Sequence, residues 1–343
     1  MVYKNIDLIP YELELDTSLQ NSQLIYSAKK GYILKLYIDD YCGCGEVCLL
    51  ENYSKENLKQ IMWAFEEIKI VLTSGQSYSK EDFLSIFEIH SASSPSFNFA
   101  LDIALYDILS QRKNISLGKF LNSEALDNIE ICGTYIENNP VENKLIKVKL
   151  LCQNVDDDIN IVLDIVEKYG KNILLRLDAN RGYDINDAIR LCNSIGPNNI
   201  EYIEEPLKET NHSNLNFFKN KTKIPIAIDE SIYKDDYKSY IESCLVDYII
   251  VKPSIFGSIK KILDFKQYSI KNNINMVISS SLENYIGNLA TVHIASALSM
   301  ENVKHGINNL FYYDYSDKVF YNKEDNVINI KNIIGLGACF DDK

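Results

Sequence analysis

The chain has 343 residues, enough for one barrel-sized domain with a smaller one beside it. Hydrophobic residues make up 46% and charged residues 24%, the proportions of an ordinary globular protein, and no apolar run approaches the roughly twenty residues of a membrane-spanning helix. A net charge of −13 argues against nucleic acid or an anionic membrane as partner.

The N-terminus, Met1 to Asn5, enters mixed sequence with no signal peptide, so a cytoplasmic protein is expected. Eight cysteines are too sparse for a disulfide scaffold and read as reduced thiols. Cys42, Cys44 and Cys48 lie close together, but no CxxC pair or fourth ligand accompanies them, which argues against zinc.

Residues 1 to about 50 read as antiparallel strands, with an alternating run over 32–38 followed by a turn rich in Gly, Asp and Cys. Helical spacing follows over 55–73, 79–90 and 98–112. Residues 1–119 are therefore expected to form an α+β domain. From 120 to 307 the pattern alternates strand and helix. Strand candidates fall at 129–136, 146–151, 173–179, 200–206, 224–230, 246–253, 275–281 and 302–307. Helices fit at 156–169, 184–195, 210–222, 231–243, 257–271 and 284–299. The 137–145 connection is shorter than a usual crossover, so either the first helix is missing or the first strand is misplaced. Residues 308–343 keep no barrel period and are expected to return to the small domain.

Five of the strands end in a charged residue: Lys149, Asp178, Glu204, Asp229 and Lys252. These stand 29, 26, 25 and 23 residues apart, about one strand, one helix and two loops per step. Strands apolar on both faces belong to a parallel sheet covered by helices, and the C-terminal ends of such strands are where α/β barrels build active sites. Three carboxylates gathered at one mouth repel unless neutralised, and oxygen-only donors suit Mg²⁺. The alternative is three solvated loop-start carboxylates that cap helices. Lys147 and Lys149 share one strand face, and in a closed barrel Lys149 and Lys252 stand across the mouth. A lysine beside a cation and a second lysine can act as a base near neutrality; the alternative is that both lysines are salt-bridge partners of the carboxylates. Arg176, two residues before Asp178, reads as a buried partner of the carboxylates rather than a substrate contact. A lysine base beside a divalent ion suits proton abstraction alpha to a carboxylate, an arrangement general chemistry already associates with enolase-type sites.

Lys147-Val148-Lys149, Arg176-Leu177-Asp178-Ala179-Asn180, Glu204-Glu205-Pro206, Asp229-Glu230-Ser231 and Val251-Lys252-Pro253 resemble the successive motifs of the enolase superfamily, muconate-lactonizing (muconate cycloisomerase) group. Within that group Val277 to Asn284 resembles the serine-rich seventh strand of the o-succinylbenzoate synthases of menaquinone synthesis. Gly31 to Leu34, and Gly45-Glu46-Val47 through Asn52-Tyr53-Ser54, resemble their N-terminal strand and mobile specificity loop.

The resemblance implies a (β/α)7β TIM-like barrel with an α+β N-terminal capping domain. It implies Asp178, Glu204 and Asp229 as ligands of Mg²⁺, with Mn²⁺ able to substitute. Lys149 would be the base that then protonates the leaving hydroxyl, and Lys252 the cation that stabilises the enediolate. Lys147, Asn180, Glu205, Glu230, Ser279 and Ser281 would support these groups or bind substrate, a small dicarboxylate. The implied reaction is Mg²⁺-dependent dehydration to 2-succinylbenzoate. The same site serves N-succinylamino acid racemases and dipeptide epimerases, but Val303 to Asn308 lacks the Asp-x-Asp pair of the epimerases. A barrel that binds without catalysis should have lost one of the five charged residues, and none is missing. Oligomeric state is left open.

Overall fold

Three strands, β1 (Tyr3–Gln20), β2 (Ile25–Ile38) and β3 (Tyr41–Cys48), form an antiparallel meander. The computed structural model describes residues 1–20, 25–49, 54, 56–136, 144–170, 172–233, 237–300, 302–307, 320–322 and 326–338. Ile38 pairs with Tyr41 across a two-residue turn in which Asp39 takes a left-handed φ of 52°. Helices α1 (Leu58–Val71), α2 (Lys80–Ser91) and α3 (Pro95–Lys113) follow. Asn57 and Gln60 close a capping box on α1, and Ser79 and Asp82 close one on α2.

The sheet is buried on both faces. Leu34, Leu36, Ile38 and Val47 join α1, α2 and α3 in one core, whereas Ile33 and Cys44 join the core of the barrel. Gly43 and Gly45 make this layer possible. A Cβ at either would stand 2.0 Å from the carbonyl oxygen of Ala104 or Ala100 in α3.

After a short helix α4 (Leu117–Leu121), the predicted strand 129–136 is divided between two sheets. β4 (Asn128–Glu130) pairs antiparallel with β13 (Val327–Asn329), which pairs in turn with β12 (Phe320–Asn322). β5 (Gly133–Thr134) begins the barrel and pairs parallel with β6 (Leu145–Lys149). Most of the anomalous connection, 137–143, lies outside the described residues, as do residues 50–53 of the expected specificity loop at 42–54. Among the described residues no helix stands between β5 and β6.

The barrel continues through α5 (Val155–Tyr169), β7 (Leu174–Asp178), α6 (Ile185–Ile195), β8 (Ile200–Glu204), α7 (His212–Lys221) and β9 (Ile226–Ile228). Then come α8 (Tyr237–Glu242), β10 (Tyr248–Val251), α9 (Pro253–Phe256), α10 (Ile259–Lys271), β11 (Asn275–Ile278) and α11 (Tyr285–Leu298). The seven strands β5 to β11 lie side by side in chain order, all parallel. The predicted eighth strand, 302–307, is reduced to two bridges, Ile131 with His305 and Ser279 with Gly306, which close the ring. The fold is thus a TIM-like enolase-type barrel with an N-terminal antiparallel domain.

The predicted helix 231–243 contains a 3-10 turn (Glu230–Tyr233) and α8, and the predicted helix 257–271 is α10, capped by Ser258 and preceded by the short α9, which ends at Gly257 with φ 105°. The described C-terminal residues touch both halves: β13 pairs with β4, and Leu336 N–H donates to Asp107 of α3 at 2.8 Å.

Alternation along the barrel strands sorts the side chains. Ile146, Val148, Leu175, Leu177, Ile203, Ile228 and Ile249 pack in the core that includes the helices, while Tyr202, Ala227, Ile250 and Val277 fill a separate interior cluster. The charged strand-end residues share the parity of this interior set and so lie above it, at the mouth.

Candidate active site

Register alone brings the charged residues together. Lys149 pairs with Asp178, Asp178 pairs with Glu204, and Glu204 pairs with Ala227, two residues before Asp229. Each stands at or just beyond the C-terminal end of its strand.

Lys147 is the cation among the carboxylates. Its ammonium donates to both Glu204 oxygens at 2.9 and 3.0 Å and lies 2.7 Å from Asp178 Oδ2. Burial works against its charge, but Asp178 and Glu204 hold its pKa well above the ordinary lysine value. Asp178 is buried, which alone would raise it; Lys147 and Lys149 keep its carboxyl below the usual range. Burial and the neighbouring Asp178 push Glu204 up to about 7.

Asp229 is raised chiefly by burial, with Lys252 opposing. One of its oxygens accepts from Lys252; the other, Oδ1, is buried without a hydrogen-bond partner among the described residues. Burial would lower Lys252, but Asp229, Glu230 and Glu204 raise it.

Lys149 differs. It is open to solvent at the mouth, and no hydrogen bond or ion pair ties it down among the described residues. Desolvation in the concavity lowers its pKa, with Lys147 and Lys252 adding to the effect and Asp178 and Glu204 opposing it. The two strand-end lysines therefore carry opposite shifts.

The supporting residues are also placed. Asn180 N–H donates to Asp178 Oδ1 at 3.1 Å. Glu205 is fully buried at φ 44° and accepts from the N–H groups of Asp229 and Ser231 at 2.9 and 2.7 Å, and from the Ser231 hydroxyl at 2.8 Å. It thereby fixes the turn that presents Asp229. Glu230 opens the 3-10 turn, raised to about 7 by burial and by Glu205. Ser279 donates to the Gly306 carbonyl at 3.3 Å, and Ser281 is buried against the Ser254 hydroxyl at 3.1 Å.

Arg176 is buried as expected, but not against the site carboxylates. It bonds to Glu201 and the Lys304 carbonyl and stacks its guanidinium over Tyr202 at 5.1 Å. It closes the interior below the charged layer. Cys42, Cys44 and Cys48 form no disulfide, nor do the other described cysteines.

Among the described residues no three carboxylate, imidazole or thiol side chains stand close enough to enclose a metal ion as they are placed. Lys147 lies between Asp178 and Glu204, and Lys252 draws Asp229 aside. The donor set nonetheless suits a hard divalent cation: an ammonium already stands in for it on two carboxylates, and a buried Asp229 oxygen is left over.

Glu46 and Glu283 are two buried carboxylates that the strand-end pattern does not reveal. The signal for Glu46 is an acidic residue inside an otherwise apolar strand, Gly43 to Cys48.

The family model for enolase C-terminal domain-like proteins matches residues 141–343, more than half of the chain. The chain is 27% identical over 310 residues to o-succinylbenzoate synthase of Aliivibrio fischeri (strain MJ11), covering 88% of this chain and 89% of that protein. It is 28% identical over 255 residues to L-Ala-D/L-Glu epimerase of Francisella tularensis subsp. novicida (strain U112), covering 70% and 71%. In fold it is similar to a dipeptide epimerase from Enterococcus faecalis V583 solved with Mg and the dipeptide L-Leu-L-Tyr, with a TM-score of 0.84 at 21% identity over 98% of this chain and 99% of that one. With strand order, charged strand ends and family match in agreement, the chain belongs to the enolase superfamily.

Proposed function

We propose that this enzyme is an o-succinylbenzoate synthase, which dehydrates 2-succinyl-6-hydroxy-2,4-cyclohexadiene-1-carboxylate to 2-succinylbenzoate. The observation that carries the reading is the contrast between the two strand-end lysines, one unengaged with its pKa lowered and one paired with its pKa raised.

In this reading Asp178, Glu204 and Asp229 would hold Mg²⁺, which would supply Lewis-acid stabilisation of negative charge on a substrate carboxylate. Lys149, in its amine form, accepts the alpha proton, breaking the C–H bond. The same ammonium then gives that proton to the departing hydroxyl, so that the C–O bond breaks and water leaves. Lys252 stays charged and balances the developing negative charge. Glu205 and Asn180 hold Asp229 and Asp178 in place.

The choice between synthase and epimerase rests on the eighth strand. The run Val303 to Asn308 holds no acidic residue that could pair with a substrate ammonium. The test is to offer the enzyme the cyclohexadiene, and separately N-succinylamino acids and dipeptides in deuterated water. Formation of 2-succinylbenzoate supports the synthase; exchange at the alpha carbon of the amino acid substrates with no dehydration would move the assignment to a racemase or epimerase.

A further inference from the structure

Glu46 is completely enclosed, on the middle of β3, in the half of the chain that precedes the barrel. A buried carboxylate is costly unless its oxygens are occupied. Its Oε1 accepts from the Tyr11 hydroxyl of β1 and from the Asn284 N–H at 2.9 Å. Its Oε2 accepts from the Gly287 N–H at 2.8 Å. Both amides belong to the start of α11, the helix that follows the seventh barrel strand. Those N–H groups have no partner inside the helix, and the helix dipole favours a negative charge there. Glu46 is therefore an N-terminal cap for a barrel helix, supplied from another part of the fold.

Other contacts converge on the same turn. Cys48, two residues along the same strand face, donates its thiol to the Ser281 carbonyl at 3.3 Å. Glu283 accepts from the Ser281 N–H at 2.7 Å and from Thr291 at 3.3 Å. Lys29, buried on β2, lends positive charge to both Glu46 and Glu283 and bonds to the Leu49 carbonyl. Leu282 is held at φ 59°, a conformation an apolar residue keeps only when its surroundings dictate it. Gly287 is required for the fit, since a Cβ there would stand 2.7 Å from Glu46 Oε2.

We propose that Glu46 is a positioning residue: by capping α11 across the seam it fixes the Ser279–Glu283 turn, and so sets how the mouth receives the substrate's second carboxylate. The substrate half of this statement rests on the synthase reading; the cap does not.

The experiment uses the full chain with Mg²⁺ and reads amide hydrogen exchange by mass spectrometry together with steady-state kinetics. Glu46→Ala should speed exchange across residues 282–290 at least tenfold and leave α1 and α2 unchanged. Glu46→Gln keeps one acceptor oxygen and should give a smaller increase. Gly287→Ala, whose methyl would stand 2.7 Å from Glu46 Oε2 and 2.8 Å from Glu283 Cβ, should speed exchange over the same residues. With the cyclohexadiene substrate, Glu46→Ala should raise KM about tenfold and change kcat less than threefold. Unchanged exchange at 282–290, or loss spread evenly over the chain, would overturn the cap. A fall in kcat at constant KM, with exchange altered as expected, would overturn the substrate role. A wild-type enzyme inactive on the cyclohexadiene would defeat the synthase reading and leave the exchange result to judge the cap.

Discussion

Lys149 and Lys252 end their strands in similar company, and their partners make them different. Lys252 is buried against Asp229, while Lys149 has no partner among the described residues and stands beside two other ammonium groups. Lys149→Ala should lower kcat by about 10²–10⁴, the usual contribution of a general base, with thermal stability unchanged. Lys149→Arg should lose nearly as much, since a guanidinium does not give up its proton near neutrality. Steady-state kinetics beside a melting curve checks both; an Arg variant with wild-type turnover would contradict the assignment. The five charged strand ends were legible in the sequence because they recur at one βα unit. What was not legible is who meets whom: the bonding of Lys147 to both Glu204 oxygens, or of Arg176 to Glu201, depends on side-chain reach across strands that spacing does not encode.

At the scale of the element, the seam between β3 and α3 depends on two positions without a side chain. A Cβ at Gly45 would lie 2.0 Å from the Ala100 carbonyl and 2.9 Å from its Cα, both backbone atoms that cannot step aside. Gly45→Ala should therefore destabilise by about 3 kcal/mol or more, the upper end for overpacking, and lower Tm accordingly. Differential scanning calorimetry tests this, and an unchanged Tm would mean that the helix can shift outward. The parallel strands were readable from apolar runs, and the long crossings from helical period. The 129–136 run was misread as one strand: pairing β4 to β13 and β5 to β6 divides it between two sheets, a choice made by partners almost 200 residues away. The 3-10 turn at Glu230–Tyr233 and the short helix Pro253–Phe256 were missed because apolar spacing does not distinguish a single turn from a strand end or a helix start.

Across the whole molecule, two histidines are buried as neutral rings and tie distant parts together. His293 accepts from the Gly118 N–H at 3.2 Å and donates to the Leu336 carbonyl at 3.1 Å. Its pKa is lowered from 6.5 to about 4 by burial, and that of His305 to about 3 by burial and by Arg176. Between about pH 6.5 and 4 the unfolded chain takes up a proton at position 293 that the folded one refuses, so this contribution to stability is present above 6.5 and is lost as pH falls. Buried carboxylates such as Asp102, raised to about 7, act in the opposite direction, so the comparison must be with a variant. His293→Asn should be less stable than wild type at pH 7, and the gap should narrow by up to about 3 kcal/mol by pH 4. Urea unfolding at a series of pH values checks it; a constant gap would mean that His293 takes up its proton equally in the folded and unfolded chain.

Metal dependence tests the account most directly, because the three carboxylates are otherwise only a buried cluster balanced by lysines. The measurement is the steady-state rate of 2-succinylbenzoate formation with Mg²⁺, after EDTA, and after Mg²⁺ is restored. The account predicts turnover that falls by at least three orders of magnitude with EDTA and returns in full with Mg²⁺. It also predicts that Asp178→Asn and Asp229→Asn are inactive at any Mg²⁺ concentration. Turnover that is indifferent to EDTA, or that survives in both variants, would contradict it.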